Sequence, residues 1–140
     1  DGLNVGVGYG KEEDSGTAAA NKQDDTFTTG YFTYAMGGLT LGYQMSAGNG
    51  GTTATNSNEV EIMGVSFAVN DNLSISVNSM ENEFDKPSGT NVTEETDGVG
   101  ISYTMGSASL RMLRAETSNK GGVSTAKDVE HTEVSLLLAF

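Results

Sequence analysis

Apolar and polar residues alternate with a period of two along most of the chain. Leu3, Val5, Val7 and Tyr9 alternate with Asn4, Gly6, Gly8 and Gly10. The same pattern returns at Leu39–Ala47, Leu73–Val77, Val99–Met105 and Thr132–Phe140. Such alternation puts one set of side chains on each face of a strand; an amphipathic helix would repeat about every 3.6 residues. Three further segments are strand-like with mixed phase. Thr26–Met36 has Phe27 and Tyr31 against Phe32 and Tyr34. Val60–Val69 starts on Val60 and Ile62 and ends on Met63, Val65, Phe67 and Val69. Ala108–Ala115 sets Leu110 and Met112 against Arg111 and Leu113. A bulge in Val60–Val69 would explain its change of phase. Together these segments predict eight strands in one domain over residues 1–140.

The connections alternate in length. Gly37-Gly38, Asp71-Asn72 and Gly106-Ser107 suit tight hairpin turns. Longer polar stretches lie near Glu12–Asp25, Ala47–Asn58, Asp85–Asp97 and Glu116–Glu130. The segment Tyr34-Ala35-Met36-Gly37-Gly38-Leu39-Thr40-Leu41 returns in altered form at Tyr103–Leu110 and, one residue longer, at Phe67–Ile75. The repeat unit would be strand, turn, strand; convergence on hairpin chemistry accounts for it equally well.

Composition narrows the function classes. The 140 residues carry 19 acidic and 7 basic side chains, a formal net charge of −12, and the pI is about 4.2. No nucleic-acid partner is expected, because phosphate binding needs a basic face. Cysteine is absent and there is one histidine. That removes disulfide and thiolate chemistry and makes a histidine zinc site improbable. No apolar run approaches the ~18 residues of a membrane helix, which leaves spanning by a barrel open. The start Asp1-Gly2-Leu3 reads as a mature product or a piece of a longer protein.

In a water-soluble barrel the apolar phase would point inward; in a membrane barrel it points outward. Three features favour the outward assignment. The segments are about 9–12 residues long, the length of a tilted membrane strand. Charge is assigned to the loops: Glu12, Glu13, Asp14, Asp24 and Asp25, then Glu81, Glu83, Asp85, Glu94, Glu95 and Asp97. The polar phase itself is Gly, Ser, Thr, Asn and Gln, with little of the charge that blunts exposed soluble strands.

The carboxy-terminal segment Val134-Ser135-Leu136-Leu137-Leu138-Ala139-Phe140 resembles the last strand of Gram-negative outer-membrane barrels. Phe140 matches that family's terminal aromatic; Val134, Leu136 and Leu138 match the alternate apolar positions. The segments Tyr34–Tyr43, Val65–Ser76 and Gly100–Ser107 resemble hairpins of alphaproteobacterial general porins. The resemblance implies an antiparallel up-and-down transmembrane β-barrel, this chain being the carboxy-terminal eight strands of sixteen. It implies a water-filled channel for passive diffusion of small hydrophilic solutes and ions, a homotrimer, and contact with outer-membrane lipid and lipopolysaccharide. It also implies that Val134, Leu136, Leu138 and Phe140 are read by the barrel-assembly machinery. The family's inward-folded third loop would lie outside this chain. No cofactor, metal site or catalytic residue is implied. Two other readings stay open: a complete eight-stranded outer-membrane barrel serving as anchor or adhesin, and a soluble lipocalin-like binding protein with a dry apolar interior.

Candidate pore-lining residues are Arg111, Gln44, Asn78, Glu59, Glu61, His131 and Glu133. Arg111 is out of phase with Leu110 and Met112, and a cation at mid-depth in lipid would cost ~2–4 kcal/mol. Its other reading is an arginine satisfied by an interior carboxylate. Arg114, in the opposite phase, suits the headgroup region. Glu59, Glu61 and Glu133 would favour cations in a channel, or else solvate a rim. His131 and Glu133 share a face but lack the nucleophile a triad needs. The acidic loops could bridge divalent cations to lipopolysaccharide phosphates, although Glu81–Asp85 lacks the EF-hand pattern. Gly6–Lys11 lacks the spacing and helix of a phosphate loop. Tyr9, Tyr34, Tyr43, Tyr103 and Phe140 are candidates for aromatic girdles.

Overall fold

The computed structural model describes residues 2–13, 24–49, 57–86 and 88–139. Eight strands follow one another: β1 (Gly2–Glu12), β2 (Asp25–Met36), β3 (Leu39–Asn49), β4 (Ser57–Ala68), β5 (Leu73–Asp85), β6 (Val92–Met105), β7 (Ala108–Ser118) and β8 (Val129–Leu138). They form one antiparallel sheet in chain order, and the described residues include no helix. β1 and β8 do not pair, so these eight strands do not close on themselves. The expected up-and-down meander of eight antiparallel strands is present, as an open sheet.

Turn chemistry sets one end of the sheet. Gly37 and Gly106 each take φ of 56° at the first position of a two-residue turn. An L-residue with a Cβ adopts that angle at a cost, so glycine fits. Between β4 and β5, the Asn70 carboxamide oxygen accepts hydrogen bonds from the backbone N–H of Asn72 (2.9 Å) and Leu73 (3.0 Å). A side chain thus closes that turn without glycine.

The hairpins are staggered. Ala68 N–H donates to Gly38 O (2.7 Å), Thr104 N–H to Asn72 O (2.8 Å) and Ala139 N–H to Ser107 O (2.8 Å). Each hairpin therefore overhangs the turn of the one before it. Along the ladders, Leu39 lies opposite Phe67, Phe67 opposite Ile75, and Ile75 opposite Ile101. β5 begins one pleat further out than that row, and β7 one pleat further again.

The register resolves the mixed-phase segments. β4 pairs without a break with both neighbours from Asn58 to Phe67, so the expected bulge is absent. The phase change is real: the two faces exchange polarity along the strand. Phe32, Tyr34 and Met36 share one face with Leu41, Val65, Val77 and Met112, whereas Phe27, Tyr31, Arg111 and Leu113 lie on the other. Several charges assigned to loops belong to strands: Glu81, Glu83 and Asp85 to β5, and Glu94, Glu95 and Asp97 to β6. Hydrogen bonding carries those strands past the end of the apolar alternation, which is why composition alone stopped them short. Asp14 and Phe140 lie outside the described residues.

Among the described residues no hydrophobic side chain is buried. In β4 and β6 the apolar phase is the exposed one, and the phase with Gly64, Ser66, Gly98, Gly100 and Ser102 is half-buried. Leu41, Ile75, Val99 and Leu136 are 37%, 44%, 45% and 62% exposed. A dry apolar centre built from them is therefore not part of this fold.

Candidate functional site

The face of Gly64, Ser66, Gly98 and Ser102, sheltered in β4 and β6, carries many small, neutral, hydrogen-bonding groups. Thr29 and Ser46 hydroxyls meet at 2.8 Å, Thr96 and Thr117 at 2.9 Å, and Thr104 and Ser109 at 3.0 Å. Gln44 Nε2 donates to Ser46 Oγ (3.1 Å), and Asn58 Nδ2 donates to Asn82 Oδ1 (3.3 Å). All but the Gln44–Ser46 pair, which runs along β3, join different strands and are of the kind that fix register. Glycines make room for larger neighbours. A Cβ on Gly6 would collide with the Tyr31 ring, and one on Gly98 would lie 2.7 Å from Asn78 Oδ1.

The sequence candidates divide between faces. Arg111, Gln44, Asn78, His131 and Glu133 share the sheltered face, where Gln44 is half-buried and the other four are exposed. Glu59 and Glu61 do not: they share the exposed face with Met63 and Val65, which corrects their grouping with Arg111. Arg111 lies opposite Ser102 on β6 and Ser135 on β8. A groove of about 290 Å³ runs beside it, lined by Ser74, Ser76, Ser102, Arg111, Glu133 and Ser135 among others. Among the described residues Arg111 makes no ion pair or side-chain hydrogen bond. Glu133 Oε2 is 3.8 Å from His131 Nε2.

The exposed face carries an apolar band with an acidic border. Phe32 and Tyr43 rings lie 5.9 Å apart at its centre. The ladder row Tyr34–Leu41–Val65–Val77–Val99 is apolar until it reaches Arg114 and Thr132. One row nearer the long connections, Phe32–Tyr43–Met63 turns polar at Ser79, then continues through Asp97, Glu116 and Glu130. The border of the band thus slopes across the ladders in the same sense as the turns. Beyond it Glu61, Glu81 and Glu95 lie directly opposite one another, as do Glu59 and Glu83. Arg114 sits at this border and pairs with Glu130 at 3.1 Å. Lys11, also at the long-connection end, pairs with Asp24 (2.6 Å) and Glu13 (3.3 Å). Tyr9, Tyr34, Tyr43 and Tyr103 all belong to the exposed face, as do Val134, Leu136 and Leu138.

At the same end the sheltered face becomes apolar, with Val60, Ile62, Met80, Phe84 and Val92. The connection after β7 folds onto this patch. Asn119 Nδ2 donates to Thr93 O (3.0 Å), Lys86 Nζ to Gly122 O (2.8 Å), and Gly121 N–H to the Glu94 carboxylate. Gly122 is buried against Phe84. Asn119, Gly121 and Gly122 have φ of 50°, 69° and 69°. Sequence reading missed this folded connection. The signal present was Asn119 followed by Gly121-Gly122, residues that tolerate left-handed backbone and so favour a compact turn.

Comparison with protein-family models, curated proteins and solved structures finds no match to this chain.

Proposed function

We propose that this chain is part of the wall of an outer-membrane channel that passes small hydrophilic solutes and ions by passive diffusion. The observation that carries the reading is the reversal of burial in β4 and β6, where the apolar phase is exposed and the small polar phase is half-buried. Water would expel such an apolar face, whereas lipid solvates it.

The stagger supports the same reading. The turns shift by about one residue per strand, ~3.3 Å along the chain for each ~4.8 Å between strands, a slope of roughly 35°. Outer-membrane barrels tilt their strands by about 35–45°. The apolar border follows this slope, as a flat lipid boundary across tilted strands requires.

The open edges favour a larger wall. Neither β1 nor β8 carries a proline or bulge to discourage pairing, and unpaired edge groups cannot face hydrocarbon. Neighbouring strands from the rest of a sixteen-stranded barrel would satisfy them. A complete eight-stranded barrel would need the β1–β8 pairing that is missing here. A lipocalin-like protein would need buried apolar side chains, and the described residues have none.

In the channel, solutes would exchange water hydrogen bonds for those of Ser, Thr, Asn and Gln side chains. Away from the strand ends, the charged groups on this face are Glu94, Arg111 and Glu133. Trimer formation, lipopolysaccharide contact and recognition of the last strand by the assembly machinery belong to the same proposal. Reconstitution of the protein carrying this chain into planar bilayers tests it: stepwise, ohmic conductance is expected. Intact membranes with correctly inserted protein and no conductance would overturn it.

A further inference from the structure

The groove beside Arg111 holds two opposite charges that do not satisfy each other. Arg111 and Glu133 both line it, on adjacent strands β7 and β8. Arg111 is opposite Ser135 and Glu133 is opposite Leu113, so the two are diagonal neighbours on one face. Diagonal neighbours stand roughly 7–8 Å apart at the backbone, within reach of long side chains. No ion pair or side-chain hydrogen bond joins them, Arg111 makes no ion pair elsewhere among the described residues, and Glu133 has His131 Nε2 at 3.8 Å.

We infer that this groove binds a small zwitterion of the α-amino-acid type, its carboxylate on the Arg111 guanidinium and its ammonium on Glu133. The guanidinium is a planar fork that takes a carboxylate through two parallel N–H donors. The Glu133 carboxylate accepts from an ammonium group, which has three donors. Ser74, Ser76, Ser102 and Ser135 supply hydroxyls along the same groove. At about 290 Å³ the space suits a small solute. A simple anion would be repelled by Glu133 and a simple cation by Arg111, so a solute carrying both charges is the best complement. The inference rests on the channel proposal for its role, as a waypoint for solute, but the binding chemistry needs no open pore.

The test is protection from arginine modification in detergent-solubilised protein. Phenylglyoxal labels accessible arginines, and peptide mass analysis separates adducts at Arg111 from those at Arg114. L-alanine is expected to slow labelling of Arg111 by about threefold at twice its dissociation constant, following 1 + [L]/Kd. Arg114, on the other face, should label at an unchanged rate. Sodium acetate and methylammonium chloride at equal ionic strength should protect less. Glu133→Gln should reduce alanine protection to the acetate level. Equal protection by acetate, or none by alanine, overturns the inference. So does faster Arg111 labelling in Glu133→Gln without solute, which would mean that the two groups neutralise each other. Solute entry into liposomes is measured in parallel. Entry without Arg111 protection sinks this inference alone, while Arg111 protection without entry sinks the channel reading alone.

Discussion

Gly122 lies against the Phe84 ring, where an added Cβ would come 2.7 Å from Phe84 Cδ2. It also has φ of 69°. Both facts bear on the connection after β7, which is fastened to β5 and β6 through Lys86, Thr93 and Glu94.

Gly122→Ala is therefore expected to loosen that connection by about 1 kcal/mol or more. Hydrogen exchange at residues 119–126 measures it, and faster exchange confined to this segment is the expected result. Phe84→Ala in the same background should relieve the steric part and leave the backbone part.

Glu61, Glu81 and Glu95 face one another across three strands, and among the described residues none of them pairs with a lysine or arginine. Like charges in direct register destabilise a sheet. Glu81→Lys should raise stability by a few tenths to about 1 kcal/mol, most at low salt, where screening is weakest. Thermal unfolding in detergent at two ionic strengths checks both the sign and the salt dependence.

Ile101 and Ser102 are adjacent in β6 and face opposite ways. If the apolar face meets lipid, Ile101→Arg costs ~2–4 kcal/mol near mid-depth, while Ser102→Arg on the wet face costs far less. Reversible unfolding from liposomes reads the difference. Equal costs would remove the distinction between faces on which the channel reading stands.

Arg111→Glu should shift ion selectivity toward cations, because it replaces a cation on the sheltered face with an anion. The reversal potential under a salt gradient measures this. Arg114→Glu, on the other face, should leave it nearly unchanged.

Much of the fold was legible in the sequence because alternation and turn residues act locally. Gly37-Gly38, Asp71-Asn72 and Gly106-Ser107 mark the three tight turns, and strict alternation identified β1, β3 and the turn-proximal parts of β5, β6 and β8, whereas the closing role of the Asn70 side chain was not read from the sequence. The rest depended on partners distant in sequence. Val60 and Ile62 suggested a bulge because nothing local tells a register break from a face whose polarity changes. Glu81, Glu83, Glu94 and Glu95 suggested loops because charge opposes strand formation in isolation, while the ladder enforces it here. The grouping of Glu59 and Glu61 with Arg111 failed for the same reason, since facing follows from cross-strand register. The proximity of Phe84 to Gly122 joins residues far apart in the chain and left no periodic trace.

The most direct measurement of the central claim uses single cysteines in this cysteine-free chain, spin-labelled in reconstituted bilayers. Labels at Ile75, Val77, Val99 and Ile101 should collide freely with dissolved oxygen and rarely with a water-soluble nickel chelate. Labels at Ser74, Ser76, Asn78 and Ser102 should show the opposite, so that accessibility alternates residue by residue through β5. Chelate access at both faces, or a polar face rich in oxygen beside a wet apolar one, would contradict a lipid-facing apolar band and a water-lined wall.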